Sequence, residues 1–245
     1  MAITFTMIVL GLIVGFVGAG GAGFVIALLT TLFDVPIHVA LGTSLTAMAF
    51  TTLSGAYSHY REKNTHLKIG LITGGAAFFS SFFGARLAAF IPEGTLHYFT
   101  SAMLLLSAVT MLVKLFILKD KEAVPFDGVR LWLSAIGLGL VTGLLSGMFG
   151  VGSAPFIQVG LLMLLHLTIR QSVGTTMLVI IPIAIGGGFG YWTEGYVDFL
   201  LLLKVLVGTM IGAYIGAKFT NLAPKPVLKA AVVATPAFAG LLLLF

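Results

Sequence analysis

The chain has 245 residues, of which 59% are hydrophobic and 9% charged, with a formal net charge of +5. A soluble domain carries roughly 25% charged residues, so this chain has too little polar surface for a water-exposed globule. It has no cysteine, which excludes disulfides, thiolate metal sites and cysteine nucleophiles. Its basic residues sit in short stretches between apolar runs, where they first signify membrane topology and not nucleic-acid binding.

The opening stretch, MAITFTMIVLGLIVGFVG, lacks the basic start of a cleaved signal peptide and reads as mature protein. It begins a long apolar segment over 3–33, followed by spans at about 38–60, 67–91 and 95–115. A charged linker then carries Lys119, Asp120, Lys121 and Glu122 with Pro125 and Asp127. A second long segment covers 131–165, followed by spans at about 170–192, 198–222 and 227–245. As one continuous helix, the segment 131–165 would be roughly 50 Å long at ~1.5 Å per residue. The hydrocarbon core is only about 30 Å thick. Each long segment carries a glycine cluster in its middle, which predicts a hairpin of helix, break and helix that enters the membrane and returns.

Sliding the chain against itself by 132 residues aligns its two halves without a gap. Gly11, Gly15, Gly18 and Gly20 fall on Gly143, Gly147, Gly150 and Gly152, and Phe24 falls on Phe156. Gly42-Thr43-Ser44 falls on Gly174-Thr175-Thr176, Gly55 on Gly187, Glu62 on Glu194, and Pro92 on Pro224. Glycines alone would align by chance in so glycine-rich a chain, but one register carrying Gly, Thr, Glu, Phe and Pro together marks an internal repeat. The expected organisation is an N-terminal repeat at 1–118, a cytoplasmic charged linker at 119–129 and a C-terminal repeat at 130–245.

Loop charges decide how the repeats face. If the long segments re-enter, each half has three full spans and the halves are inverted. Arg61, Lys63, Lys68, Lys114, Lys119, Lys121, Arg130, Arg170, Lys218, Lys225 and Lys229 then share one side, leaving Arg86 and Lys204 on the other. If the long segments cross, the same residues divide far more evenly. The positive-inside rule selects inversion, an arrangement common among transporters. The expected fold is therefore an all-α polytopic membrane protein of two inverted repeats, each a glycine-broken re-entrant helical segment plus three transmembrane helices.

The first break, Gly18-Ala19-Gly20-Gly21-Ala22-Gly23, contains a literal GxGxxG, but the dinucleotide reading needs a strand before it and a βαβ unit around it. Here it interrupts a membrane segment, and its mate, Gly150-Val151-Gly152-Ser153-Ala154-Pro155, loses the third glycine. The residue types fit an unwound stretch leading into short helices at about 24–33 and 156–165, with Pro155 in the first turn, where proline is tolerated. The starts of such helices present free N–H groups and a positive dipole end, so two of them meeting at the midplane make an anion site. Close packing of helices is the competing role for the same glycines.

The small hydroxyls Thr43, Ser44, Thr175 and Thr176 can donate to an anion without the desolvation cost of a full charge, or bond to their own helix backbone. Gln158 needs a partner in hydrocarbon and joins the candidate set with Gly20, Gly21, Gly23, Gly150, Gly152 and Ser153. His38 and His59 read as interfacial, Arg86 and Lys218 as snorkelling cations, and Glu62 as a solvated loop residue. Ser54 and His59, five apart on one helix, make a poor catalytic pair. No catalytic residue, metal site or cofactor is called for.

Two glycine breaks, each followed about twenty residues later by a Gly-Thr-[Ser/Thr] element, resemble the sulfite exporter TauE/SafE family. The likeness runs along the whole chain, including GTSLTAMAFTTLSGAYSHYR at 42–61 and GTTMLVIIPIAIGGGFGYW at 174–192; the second copy has Thr176 for Ser and Gly190 for Ser58. The resemblance implies a multi-pass transporter of the bacterial inner membrane carrying sulfite, sulfonates or related sulfur-containing organic anions. Alternating access between the repeats, coupling to an ion such as the proton, and an oligomer are each compatible with it. An anion channel and an intramembrane enzyme are the competing classes.

Overall fold

The computed structural model describes residues 2–17, 22–116, 128–150, 154–220 and 225–244, and among these there are ten helices and no strand. In chain order they are α1 (Ala2–Val17), α2 (Ala22–Phe33), α3 (Ile37–Arg61), α4 (Leu67–Ala89) and α5 (Glu93–Phe116), then α6 (Val129–Phe149), α7 (Ala154–Met163), α8 (Ile169–Thr193), α9 (Phe199–Thr220) and α10 (Lys225–Leu244). Helices α2 to α5 start at 22, 37, 67 and 93, and α7 to α10 start at 154, 169, 199 and 225. Each start in the second set lies at the spacing that aligns the sequence.

The turns repeat as well. Val35 N–H donates to Leu29 O at 3.0 Å and Leu167 N–H to Leu161 O at 3.1 Å, each reaching back six positions over the end of its helix. Each closure has a left-handed residue just before it, Asp34 at φ 51° and His166 at φ 52°. The turn after α3 has Lys63 at φ 59°, and the turn after α8 has Gly195 at φ 80°. Helix α8 begins with a capping box: Thr168 Oγ1 accepts from Gln171 N–H, and Gln171 Oε1 accepts from Thr168 N–H. Asp198 Oδ1 accepts from Leu200 and Leu201 N–H to start α9.

Glycines set the contacts between helices. α3 and α8 run antiparallel: Gly42 lies against Tyr191, Leu45 against Gly187, and Gly55 against Met177. α4 runs parallel to α8, with Gly70 on Leu178, Gly74 on Pro182 and Phe78 on Gly186. α4 also runs parallel to α6, where Gly139 meets Thr73 and Gly143 meets Ala77 and Ser80. α1 and α9 pair in the same parallel way, so closely that a Cβ on Gly11 would lie 2.7 Å from Thr209 O. α1 therefore runs in the direction of α3 and α6 in the direction of α8, and the short helices α2 and α7 bring the chain back between them.

Among the described residues, five helices are long and apolar enough to cross a membrane: Ile37–Arg61, Leu67–Ala89, Glu93–Lys114, Val129–Phe149 and Gln171–Thr193. The appearance of Val129–Phe149 among them departs from the sequence expectation. The second long segment breaks at Gly150, at its middle as expected, but α6 before the break is by itself long enough to span, and only α7 is short. Large apolar side chains such as Phe5, Leu71, Phe79, Phe83 and Leu133 face outward. In water that belt would be an aggregation surface, but in lipid it is the solvent-facing side. Tyr57, Tyr60 and Trp132 are exposed near one set of helix ends and Trp192 near the other, as aromatic side chains at membrane interfaces are.

Candidate functional site

The starts of the two short helices both enter one extended buried cluster. Ala22 of α2 and Ala154 of α7 belong to one buried cluster with Met48 and Ile180, which sit near the midpoints of α3 and α8. The N–H groups of a helix's first turn have no intrahelical acceptor, so two sets of free donors and two positive dipole ends meet this region. Gly150 forms the bend before α7 at φ 61°, its N–H donating to Ser146 O at 2.8 Å. A side chain there would be strained in its backbone and would run into Leu41 of α3 and Ile26 of α2. Gly23, in the first turn of α2, is held against Leu104 of α5. Gly20, Gly21, Gly152 and Ser153 lie outside the described residues.

One turn along α3 from Met48 lie Thr43 and Ser44, 0% and 2% exposed. Neither hydroxyl has a hydrogen-bond partner among the described residues. Their counterparts on α8 are equally buried but are satisfied. Thr175 Oγ1 accepts from His66 N–H at 3.0 Å, and Thr176 Oγ1 donates to Ser172 O at 2.7 Å. Thr176 thus adopts the self-bonded state available to any membrane-helix threonine, while the first-half pair is left open. A buried hydroxyl without a partner costs about 1–3 kcal/mol.

Gln158, one turn into α7 and 1% exposed, accepts at Oε1 from Lys114 Nζ at the end of α5. Read from sequence, Lys114 is one more loop cation; in the structure it is 5% exposed. Nothing local to Lys114 signals this, because its partner is 44 positions away. His38 is also buried, and not interfacial as its place near a span end suggests. Its Nε2 donates to Ala88 O at 3.0 Å, Nδ1 lies 3.8 Å from Glu93 Oε1, and the ring stacks on Tyr196. Arg86 does more than snorkel: its Nε meets Glu194 Oε1 at 2.8 Å and ties α4 to the end of α8.

Among the described residues, the buried polar side chains are hydroxyls, one imidazole, one amide and one ammonium, and no carboxylate is buried. No cluster of three or more His, Asp or Glu able to hold a metal ion occurs among them either. A cation pathway at membrane depth is ordinarily lined with carboxylates. This interior offers donors instead.

Comparison with known proteins agrees with the arrangement. The sulfite exporter TauE/SafE family profile matches residues 3–243. The chain is 65% identical over 245 residues, covering 100% of both proteins, to the "Probable membrane transporter protein YdhB" of Bacillus subtilis. It is 26% identical to the "Probable membrane transporter protein YunE" of the same species, covering 86% of each chain. It is 28% identical to the "Probable membrane transporter protein MJ0441" of Methanocaldococcus jannaschii, covering 89% of this chain and 87% of that one. No solved structure matches it. An all-helical chain with five apolar helices of spanning length, matched from end to end by this profile, belongs to the sulfite exporter TauE/SafE family of multi-pass membrane transporters.

Proposed function

We propose that the chain is a secondary transporter of small anions in the bacterial inner membrane. Its substrates are sulfite, sulfonates or related sulfur-containing organic anions, carried by alternating access between two inverted repeats. The observation that carries this reading is the unmatched pair Thr43 and Ser44. Two buried hydroxyls stay open one turn along α3 from Met48, which shares a buried cluster with both short-helix starts, in an interior without buried carboxylates among the described residues. A sulfonate or sulfite offers three oxygen acceptors on one small anion, which backbone N–H and hydroxyl donors from two sides can satisfy.

Inversion is supported by the antiparallel run of α3 and α8. Leu45 meets Gly187 and Met177 meets Gly55, which is one contact with its partners exchanged between the halves. A twofold axis relating two antiparallel spans lies in the membrane plane, which is the geometry of inverted repeats. Alternating access is supported by inequality between the halves. α4 packs along α8, but its counterpart α9 packs far less extensively on α3. Exchanging those two packings would open one side of the membrane and close the other.

The test is flux in proteoliposomes, preceded by a thermal-shift panel of sulfite, sulfoacetate, taurine, thiosulfate and carboxylate analogues on purified protein. Saturable, gradient-driven flux of a sulfur oxyanion is expected. Non-saturating flux would make the protein a channel, and stabilisation by carboxylates alone would overturn the substrate class.

A further inference from the structure

We propose that Lys114 and Gln158 form a charge-bearing oxyanion subsite where α5 meets α7. It would add a full positive charge to the anion pathway of the preceding section, and it rests on that reading. Lys114 lies in the last turns of α5 with its side chain turned inward, 5% exposed, against α7. Its ammonium donates to the Oε1 of Gln158, an uncharged acceptor that is itself 1% exposed. Neither the ion pair of His38 with Glu93 nor that of Arg86 with Glu194 includes Lys114.

A lysine this near a helix end can carry its ammonium out to water along its four-carbon stem. Lys114 does not. A buried ammonium that meets only an amide is under-compensated, because the amide supplies a dipole and no countercharge. The missing charge is negative, and no buried carboxylate supplies it among the described residues; Asp120, Glu122 and Asp127 of the linker lie outside them. A removable anion would supply it.

The donor set defines the ligand. The ammonium has three N–H bonds, and one of them goes to Gln158. The amide, with its oxygen occupied, has its NH2 to offer. Both groups can turn donors toward one object, and that object must be an acceptor on every face. A small oxyanion of sulfur or phosphorus fits, whereas an amine or a metal cation does not. Ile26 holds the position on α2 that Gln158 holds on α7, so the short helix of the first half lacks the amide.

The same chemistry could come from a lipid phosphate, so the experiment includes both sources. Wild type, Lys114→Gln, Lys114→Arg and Gln158→Glu are purified in non-ionic detergent. Thermal unfolding is followed against sulfite, sulfate, sulfoacetate and phosphate, and separately against phosphatidylglycerol micelles. Wild type is expected to be stabilised by at least one soluble oxyanion. Lys114→Gln should need at least about tenfold more of it for the same shift, and Lys114→Arg should retain part of the response. Gln158→Glu places a fixed carboxylate beside the ammonium, so it should fold at least as well as wild type and lose the anion response. That variant keeps the test decisive if Lys114→Gln fails to fold.

A wild-type response that Lys114→Gln or Gln158→Glu leaves unchanged overturns the subsite and spares the transport reading. A wild-type protein that responds to no soluble oxyanion overturns both. A Lys114-dependent shift with phosphatidylglycerol alone makes the ligand a lipid headgroup and overturns the subsite as proposed.

Discussion

Replacing Thr43 and Thr175 by valine separates a binding hydroxyl from a structural one, because the two counterparts differ in a single hydrogen bond. Thr43→Val removes an oxygen that is fully buried and unpartnered, and puts a methyl of nearly the same size in its place. Removing that unpaired polar atom relieves a penalty of about 1–3 kcal/mol, so the unliganded protein should hold or gain stability. Thr175→Val removes the acceptor of His66 N–H and should cost about 1–3 kcal/mol. For a chain of this size each kcal/mol shifts the melting temperature by roughly 2–4 °C, so the two variants should move in opposite directions. Flux should show the reverse pattern of importance. A hydrogen bond from Thr43 to a charged ligand is worth about 1.5–3 kcal/mol, which raises KM by ten- to a hundredfold or so. Thermal unfolding in detergent and saturation kinetics in proteoliposomes measure both. If Thr43→Val destabilises the protein as much as Thr175→Val while KM stays at the wild-type value, Thr43 is a packing residue and the reasoning fails.

The remaining predictions concern topology, motion and surface charge. In this cysteine-free chain, impermeant thiol reagents should label Lys63→Cys and Arg170→Cys from one side of the membrane and Arg86→Cys from the other; labelling of Lys63→Cys and Arg170→Cys from opposite sides would refute inversion. Phe50 on α3 and Leu206 on α9 are the repeat counterparts of Pro182 on α8 and Gly74 on α4, which meet. A disulfide between Phe50→Cys and Leu206→Cys should therefore stop flux until it is reduced, and full cross-linking with undiminished flux would count against the exchange of packings. Arg86→Ala should lower stability by less than ~1 kcal/mol, since the Arg86 side chain is 51% exposed and exposed ion pairs contribute little; a melting shift beyond roughly 4 °C would show that the contact with Glu194 holds α4 to α8.

Much of the architecture could be read from sequence because its punctuation is chemical. The short helices were expected at 24–33 and 156–165 and occur at Ala22–Phe33 and Ala154–Met163. Glycine clusters and first-turn residues such as Pro155 mark such starts whatever packs around them. The bend at Gly150 is legible as a break and as a position, but the length of α6 is not. Glycine permits a left-handed residue without stating that α6 runs its full length before turning. Lys114 was misjudged for a different reason. Distance from a span end says where a cation could reach, whereas burial depends on which helix covers it, and that helix is α7. His38 follows the same rule, since Ala88, Glu93 and Tyr196 come from three later parts of the chain. Thr43 and Thr175 look alike in sequence, and only the contact with His66 tells them apart.

The matching helix starts and turns carry an energetic consequence. If the halves trade packings, most of what is lost on one side is regained on the other in nearly the same form. The free-energy difference between the two end states then comes only from positions where the halves differ, such as Pro182 against Phe50, the Lys114–Gln158 pair, and the bond that Thr175 makes and Thr43 does not. Under alternating access that difference has to stay within a few kcal/mol, the range in which both states are populated and a ligand can shift the balance. A transporter built as proposed would work as a nearly level balance, tipped by the concentrations on either side.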